Sequence, residues 1–242
     1  MHVTAIVPAA GEGRRFPGAE PKQYRSLLGM PVLVRTIQAL WAAGVVDRLI
    51  LVVPAGQEVR CRADILEPFD ASVDLLVPGG ADRQASVYAG LQAVDGPTDV
   101  IVVHDAARPL VSPEAIRAAV AAATAEGAAV VAVRVTDTIK VARADGTVRE
   151  TPGRESLWAA QTPQAFRATV LREAHARALA DGVRSTDDAA LVERLPHSVR
   201  LVPGSPENLK LTTPADWALA EEILRRRGGS AFPGRAAQPE PH

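Results

Sequence analysis

Ala5-Ile-Val-Pro-Ala-Ala-Gly-Glu-Gly-Arg-Arg-Phe16 is the stretch that decides the fold, together with the apolar, β-branched run His2 to Val7 that leads into it. A buried strand here empties into a loop of small residues, Ala9, Ala10, Gly11 and Gly13, whose backbone N–H groups are open to an anion at close range. Arg14, Arg15 and, within the following GAEPKQY (Gly18 to Tyr24), Lys22 bring three cations to the same place. The loop reads as a phosphate cradle. Two familiar phosphate loops do not fit it. A dinucleotide fingerprint needs glycine where Phe16 stands, and a Walker loop needs Lys and Ser or Thr after Gly18, where Ala19 and Glu20 follow. Taken alone, the segment could also be a glycine-rich turn carrying solvated arginines.

Further apolar runs at Arg48 to Val53, Ser72 to Val77, Asp99 to Val103 and Ala128 to Val135 alternate with helix-like segments. That alternation predicts an α/β fold, a mostly parallel twisted sheet with helices on both faces. Val34, Ile37, Leu40 and Trp41, then Val87, Leu91 and Val94, then Ile116 and Val120 recur at three- or four-residue steps and are expected in the core. Ser112 before Pro113 makes a helix start, and Asp82 another. From Asp137 to Trp158 the period changes to short strands around Ala144-Asp-Gly146, which predicts a hairpin leaving the sheet. Ala165 to Leu179 and Asp187 to Leu195 read as helices, Val199 to Val202 as a strand, and Pro214 to Arg227 as a helix capped by Thr213. One domain over 1–227, an arm at 137–158 and a frayed tail at 228–242 are expected.

The 242 residues carry 27 basic and 28 acidic side chains, so no global field favours nucleic acid or an anionic membrane. Any phosphate affinity must be local. The single cysteine, Cys61, excludes an internal disulfide and reads as a partly buried helix residue. No stretch resembles a signal peptide and no apolar run approaches the ~20 residues that span a bilayer, so a soluble cytoplasmic protein is expected. His175 and His197 have no partners at metal-ligand spacing and read as structural.

Asp105 lies just past an apolar strand, where open parallel sheets collect ligands. A carboxylate among phosphates repels them unless a divalent cation intervenes, which points to Asp105 as a magnesium-linked residue. His104 beside it should face the other way and be packed or hydrogen-bonded.

PAAGEGRR and PKQY are joined by GGADRQASV (Gly79 to Val87), VHDAARP (Val103 to Pro109), DTIK (Asp137 to Lys140), TPQAF (Thr162 to Phe166), TDDA (Thr186 to Ala189) and NLKLTTP (Asn208 to Pro214). In this order and spacing, from about Val3 to Arg227, the pattern resembles the 2-C-methyl-D-erythritol 4-phosphate cytidylyltransferases of non-mevalonate isoprenoid synthesis. The resemblance implies a Rossmann-like nucleotidyltransferase fold, CTP and methylerythritol phosphate as substrates, magnesium, and a homodimer whose β-arm reaches the neighbouring active site. The residues themselves are equally compatible with a plain surface hairpin.

By the same resemblance, Arg15 and Lys22 stabilise the transition state, while Arg154 and Lys210 position the attacking phosphate. Pro8, Ala9, Ala10, Gly11, Gly80, Ala81 and Ser86 select the cytosine nucleotide, with Arg83 supporting their loop. Ala81 stands where members of the family carry an acidic residue, which leaves only a backbone contact there. The acceptor falls to Asp105, Arg108, Thr138, Arg154, Thr162, Thr186 and Lys210. Thr138 and Thr186 taken singly are ordinary strand or cap residues. Glu207, three residues before Lys210, is a candidate second acidic group. Two competing readings remain at this point: a ribitol 5-phosphate cytidylyltransferase and a catalytically silent nucleotide-binding module. Arg15, Lys22, Asp105 and Lys210 together oppose the second.

Overall fold

Residues 1–11 and 21–228 are described by the structure, a computed structural model. In chain order the elements are β1 (Val3–Pro8), the hairpin β2 (Ser26–Leu27) and β3 (Met30–Pro31), α1 (Val32–Ala42), β4 (Arg48–Val53), and α2 (Glu58–Arg60), which runs on into a wider turn over Cys61–Leu66. They continue with β5 (Leu75–Pro78), α3 (Arg83–Gln92), β6 (Val100–Val103), α4 (Pro113–Glu126) and β7 (Ala128–Arg134). Then follow β8 (Val141–Ala142), β9 (Val148–Glu150), β10 (Trp158–Arg167), α5 (Ala168–Ala180), α6 (Ala189–Val192), β11 (Arg200–Pro203) and α7 (Pro214–Arg226).

Seven strands form one sheet in the order β11-β7-β10-β6-β1-β4-β5. All neighbours are parallel except β10, which runs antiparallel to both β6 and β7. The period-2 rule divides the core between the two faces. Val3, Ala5 and Val7, with Leu49, Leu51, Val100 and Val102, pack on one side with α1 and α4; Ile6, Ile50, Val52, Ile101 and Phe166 pack on the other with α3, α5 and α6. The helix faces read from spacing lie in these cores: Ile37, Leu40, Ile116 and Val120 on the first side, Val87 and Leu91 on the second. Gly90 lets α3 lie close on β1, since a Cβ there would meet Ile6 Cγ2 at 2.6 Å.

Three helix starts carry the caps that the sequence announced. Ser112 accepts from the Ala115 N–H, Asp82 from the Ala85 N–H, and Thr213 forms a reciprocal capping box with Asp216. Each such cap contributes about 1 kcal/mol. At the opposite edge of the sheet, the carboxylates of Asp47, Asp74 and Asp99 accept the N–H groups of Val3, Leu49 and His2.

Four expectations are corrected. Ala165 to Arg167 is not helical but closes β10, and α5 begins only at Ala168. The sequence hid this strand because Gln161, Thr162 and Gln164, though polar, are buried in it, and because Pro163 argues against a central strand. The pairing of β10 with β7 is irregular between Ala160 and Gln164, which is where the proline is accommodated. The helix expected over Asp187 to Leu195 shrinks to α6, and the strand expected from Ser72 starts at Leu75, with Asp74 spent on the Leu49 N–H. Cys61 is fully rather than partly buried. The 229–242 part of the tail and the loop residues 12–20, Arg14 and Arg15 among them, lie outside the described residues. No described helix is long and apolar enough to cross a membrane.

Candidate active site

Every parallel strand delivers its following loop to one edge of the sheet. β1 leads to residues 9–11, β5 to 79–82, β6 to 104–108 and β11 to 204–210. Because β10 is antiparallel, its early residues Gln161 and Thr162 arrive at the same edge. Open α/β sheets bind ligands there.

The first half of the site is built from small residues. Gln23, buried in the PKQY turn, donates to the carbonyls of Ala9 at 2.6 Å and Gly11 at 3.2 Å and so fixes the loop after Pro8. Gly79 lies against Ala10, where an added Cβ would meet the Ala10 methyl at 2.4 Å. Ser86 accepts from the Gly80 N–H at 3.2 Å and donates to the Asp82 carbonyl at 2.8 Å, which holds Gly80 and the exposed Ala81 at the start of α3. Ala9, Ala10, Gly11, Gly80, Ala81 and Ser86 thus share one small-residue wall. Lys22 opens the turn that contains Gln23.

The second half centres on Asp105. Its Oδ2 is 2.8 Å from Lys210 Nζ and 3.6 Å from Arg108 Nε, and its Oδ1 is 3.2 Å from Arg83 Nε. Burial alone would raise this carboxyl, but Lys210, then Arg83 and Arg108, hold it well below the usual carboxylate range. Arg83 reaches on to Asp188 at 2.8 Å. Three cations therefore face two carboxylates, which leaves one formal positive charge, and two of the donors, Arg83 Nη2 and Arg108 Nε, are buried without a hydrogen bond among the described residues. Such a surplus, with donors to spare, suits a polyanion.

Thr162 is wired to this centre. Its hydroxyl accepts from the Asp105 N–H at 3.0 Å and lies 3.0 Å from His104 Nδ1, while His104 Nε2 is 3.1 Å from the Arg108 carbonyl. A carbonyl only accepts, so Nε2 carries the proton and Nδ1 receives the Thr162 O–H. Burial pushes His104 down to about 4, so it is a neutral link and not a base. As pH falls through 6.5 the unfolded chain takes up a proton that the folded chain refuses until about 4. This site therefore contributes stability that is complete above pH 6.5 and lost between 6.5 and 4, about 3 kcal/mol in all. Urea unfolding across that window should show the loss, and His104→Gln should flatten it; an unchanged slope in the variant would assign the loss elsewhere.

Asn208 braces the Lys210 loop, donating to Gln161 Oε1 at 3.1 Å and the Thr162 carbonyl at 2.8 Å, while its own carbonyl accepts from Arg108 at 2.7 Å. Glu207 is turned away onto Arg226 and Arg227, with Arg227 Nη2 at 2.6 Å, and the described residues contain no group of three metal-ligating side chains. Among the described residues at this edge, Asp105 offers magnesium a hard, ionised oxygen donor, and one such group is enough where phosphates and water complete the shell. Thr186 is exposed in the loop that ends at Asp188. Thr138 and Arg154 are not brought to this cluster; both are exposed in the arm, and Arg154 donates to the Thr136 carbonyl. Sequence reasoning did not single out Gln23, Asn208 or Asp188, although PKQY, NLKL and TDDA each contained one.

A carboxyl-edge site that sets a small-residue wall beside a cation-caged carboxylate suits an α/β protein that binds a phosphorylated ligand. Comparison with known proteins narrows the class. The family model for 2-C-methyl-D-erythritol 4-phosphate cytidylyltransferase matches residues 3–226. Proteins of that name from Symbiobacterium thermophilum and Pelotomaculum thermopropionicum are 49% and 46% identical, over 92% and 94% of this chain and 92% and 96% of their own. The crystal structure of the Thermus thermophilus protein superposes with a TM-score of 0.76 at 34% identity, covering 93% of this chain and all of that one. The chain belongs to the 2-C-methyl-D-erythritol 4-phosphate cytidylyltransferase family.

Proposed function

We infer that this chain transfers a cytidylyl group from CTP to 2-C-methyl-D-erythritol 4-phosphate, giving 4-diphosphocytidyl-2-C-methyl-D-erythritol and pyrophosphate. The cage of Arg83, Arg108 and Lys210 around Asp105 is the observation that carries this reading, because it gathers positive charge and spare donors at a strand edge beside a wall of small residues. The acceptor phosphate oxygen bonds to the α-phosphorus as the bond to the β-phosphate oxygen breaks and pyrophosphate leaves. That phosphate is already ionised, so no general base is needed, and catalysis is alignment plus charge stabilisation. Lys22 and Arg15 serve the growing phosphorane charge, Lys210 and Arg154 align the attacking group, and Thr162 and Thr186 contact the acceptor. Pro8, Ala9, Ala10, Gly11, Gly80, Ala81 and Ser86 bound the cytidine. Magnesium held by Asp105 would neutralise the triphosphate.

The arm supports a homodimer. It is exposed nearly throughout, and its two paired strands span only Val141–Ala142 and Val148–Glu150. An isolated hairpin of that size is marginal in water, which favours seating on a second copy. Residues 1–227 then act as one catalytic domain, and the lone buried Cys61 suits a reducing cytoplasm. Pyrophosphate release with CTP and magnesium tests the function directly. Turnover with methylerythritol phosphate well above that with ribitol 5-phosphate is expected, and the reverse preference, or none with either, would overturn it.

A further inference from the structure

Behind Arg83 lies a buried chain of polar groups that the transfer reaction does not by itself require. His175, on α5, is 2% exposed and Asp188, just before α6, is 1% exposed. The imidazole stacks on Tyr88 of α3 with ring centroids 6.0 Å apart and planes 18° from parallel. Its Nε2 lies 3.0 Å from Asp188 Oδ1; the other carboxylate oxygen takes Arg83 Nη1 at 2.8 Å. Burying a carboxylate and an imidazole is costly, and apolar side chains would fill the same space without that penalty. The arrangement is explained if orientation is what it supplies.

A guanidinium is planar, so fixing two of its edges fixes the third. Stacking sets the plane of His175, His175 sets the rotation of the Asp188 carboxylate, and Asp188 sets Arg83. The Nε edge of Arg83 then meets Asp105 Oδ1 at 3.2 Å, and Nη2 is the corner with no protein partner among the described residues. The loop that carries Asp188 is itself pinned. Gln84 donates to the Val183 carbonyl and accepts from the Ser185 N–H, and Gln164 accepts from the N–H groups of Asp188 and Ala189.

We propose that His175 and Asp188 are positioning residues that act through Arg83, holding its free guanidinium corner for a nucleotide phosphate. This rests on CTP being the donor. Asp188→Asn should raise KM for CTP about tenfold with little change in kcat or in KM for the acceptor, the signature of binding lost equally from the ground and transition states. Lysine cannot span Asp105 and Asp188 together, so Arg83→Lys should raise KM for CTP as well. The double variant should then be no worse than Arg83→Lys alone, because residues acting in one chain do not add. His175→Leu should raise KM for CTP in the same direction, and His175→Gln, which keeps an N–H donor, should recover most of that loss. If Asp188→Asn does not fold, the two His175 variants decide the matter. Additive effects, or lowered melting temperatures with KM for CTP unchanged, would overturn the proposal and leave these residues purely structural. Wild type that does not consume CTP would instead overturn the functional reading beneath it.

Discussion

Asp105→Asn is expected to lower turnover by about 10² to 10³, the scale on which a single preorganised electrostatic group acts in a transition state. Asparagine keeps the shape but only one accepting oxygen, so of Lys210, on Oδ2, and Arg83, on Oδ1, one keeps an acceptor while the other meets the amide NH2. What disappears is the charge that balances three cations. The fold should survive the change. Arg83 retains Asp188, Arg108 retains the Asn208 carbonyl, and Thr162 bonds the backbone N–H of residue 105, not its side chain. The magnesium dependence of CTP binding should weaken at the same time, which calorimetry with and without the metal can read. An Asp105→Asn protein with turnover near wild type, or with unaltered metal dependence, would remove Asp105 from the chemistry.

Mixing two inactive variants should produce an active protein. If the arm serves the neighbouring subunit, Lys22→Ala and Arg154→Ala lie in different chains of the same composite site. In a heterodimer one site carries both lesions and the other carries neither. Random exchange makes half the dimers mixed, each with one intact site of two, so recovery of about one quarter of wild-type activity is expected. The geometry within one chain agrees with this division: Arg154 bonds to the Thr136 carbonyl at the foot of the arm and not to the Asp105 cluster. A mixture whose chains exchange, as shown by mass-tagged subunits, but which stays inactive would assign the arm to its own chain.

The sheet was legible in the sequence wherever its strands were apolar. β1, β4, β6 and β7 announce themselves by Val, Ile and Leu, and their helices by three- and four-residue spacing. β10 was not legible because its buried face is paid for with Gln and Thr that find partners far along the chain. The placement of Asp105 and its cations followed from one strand end and a run of motifs. The Arg83–Asp188 pair, 105 residues apart, and the bond from Gln164 to Asp187 could not be read from any local pattern. Arg15 was legible only by resemblance and lies outside the described residues.

The antiparallel course of β10 has a consequence for how such a chain can change over time. The arm departs from the end of β7 and returns at the start of β10, where Arg134 pairs with Trp158 and lies 4.6 Å over its ring, while Val135 bonds to Leu157. Both roots are therefore clasped side by side, and the register of the sheet is set below them by β7 and β10 themselves. Residues can be gained, lost or exchanged beyond that clasp without shifting a single rung of the ladder. The nucleotide wall, in contrast, is locked by the touch of Gly79 on Ala10, which leaves no room for variation. Along one edge of the sheet, then, the arm is built as an interchangeable attachment and the small-residue wall as a fixed gauge, so the first can diversify while the second stays constant.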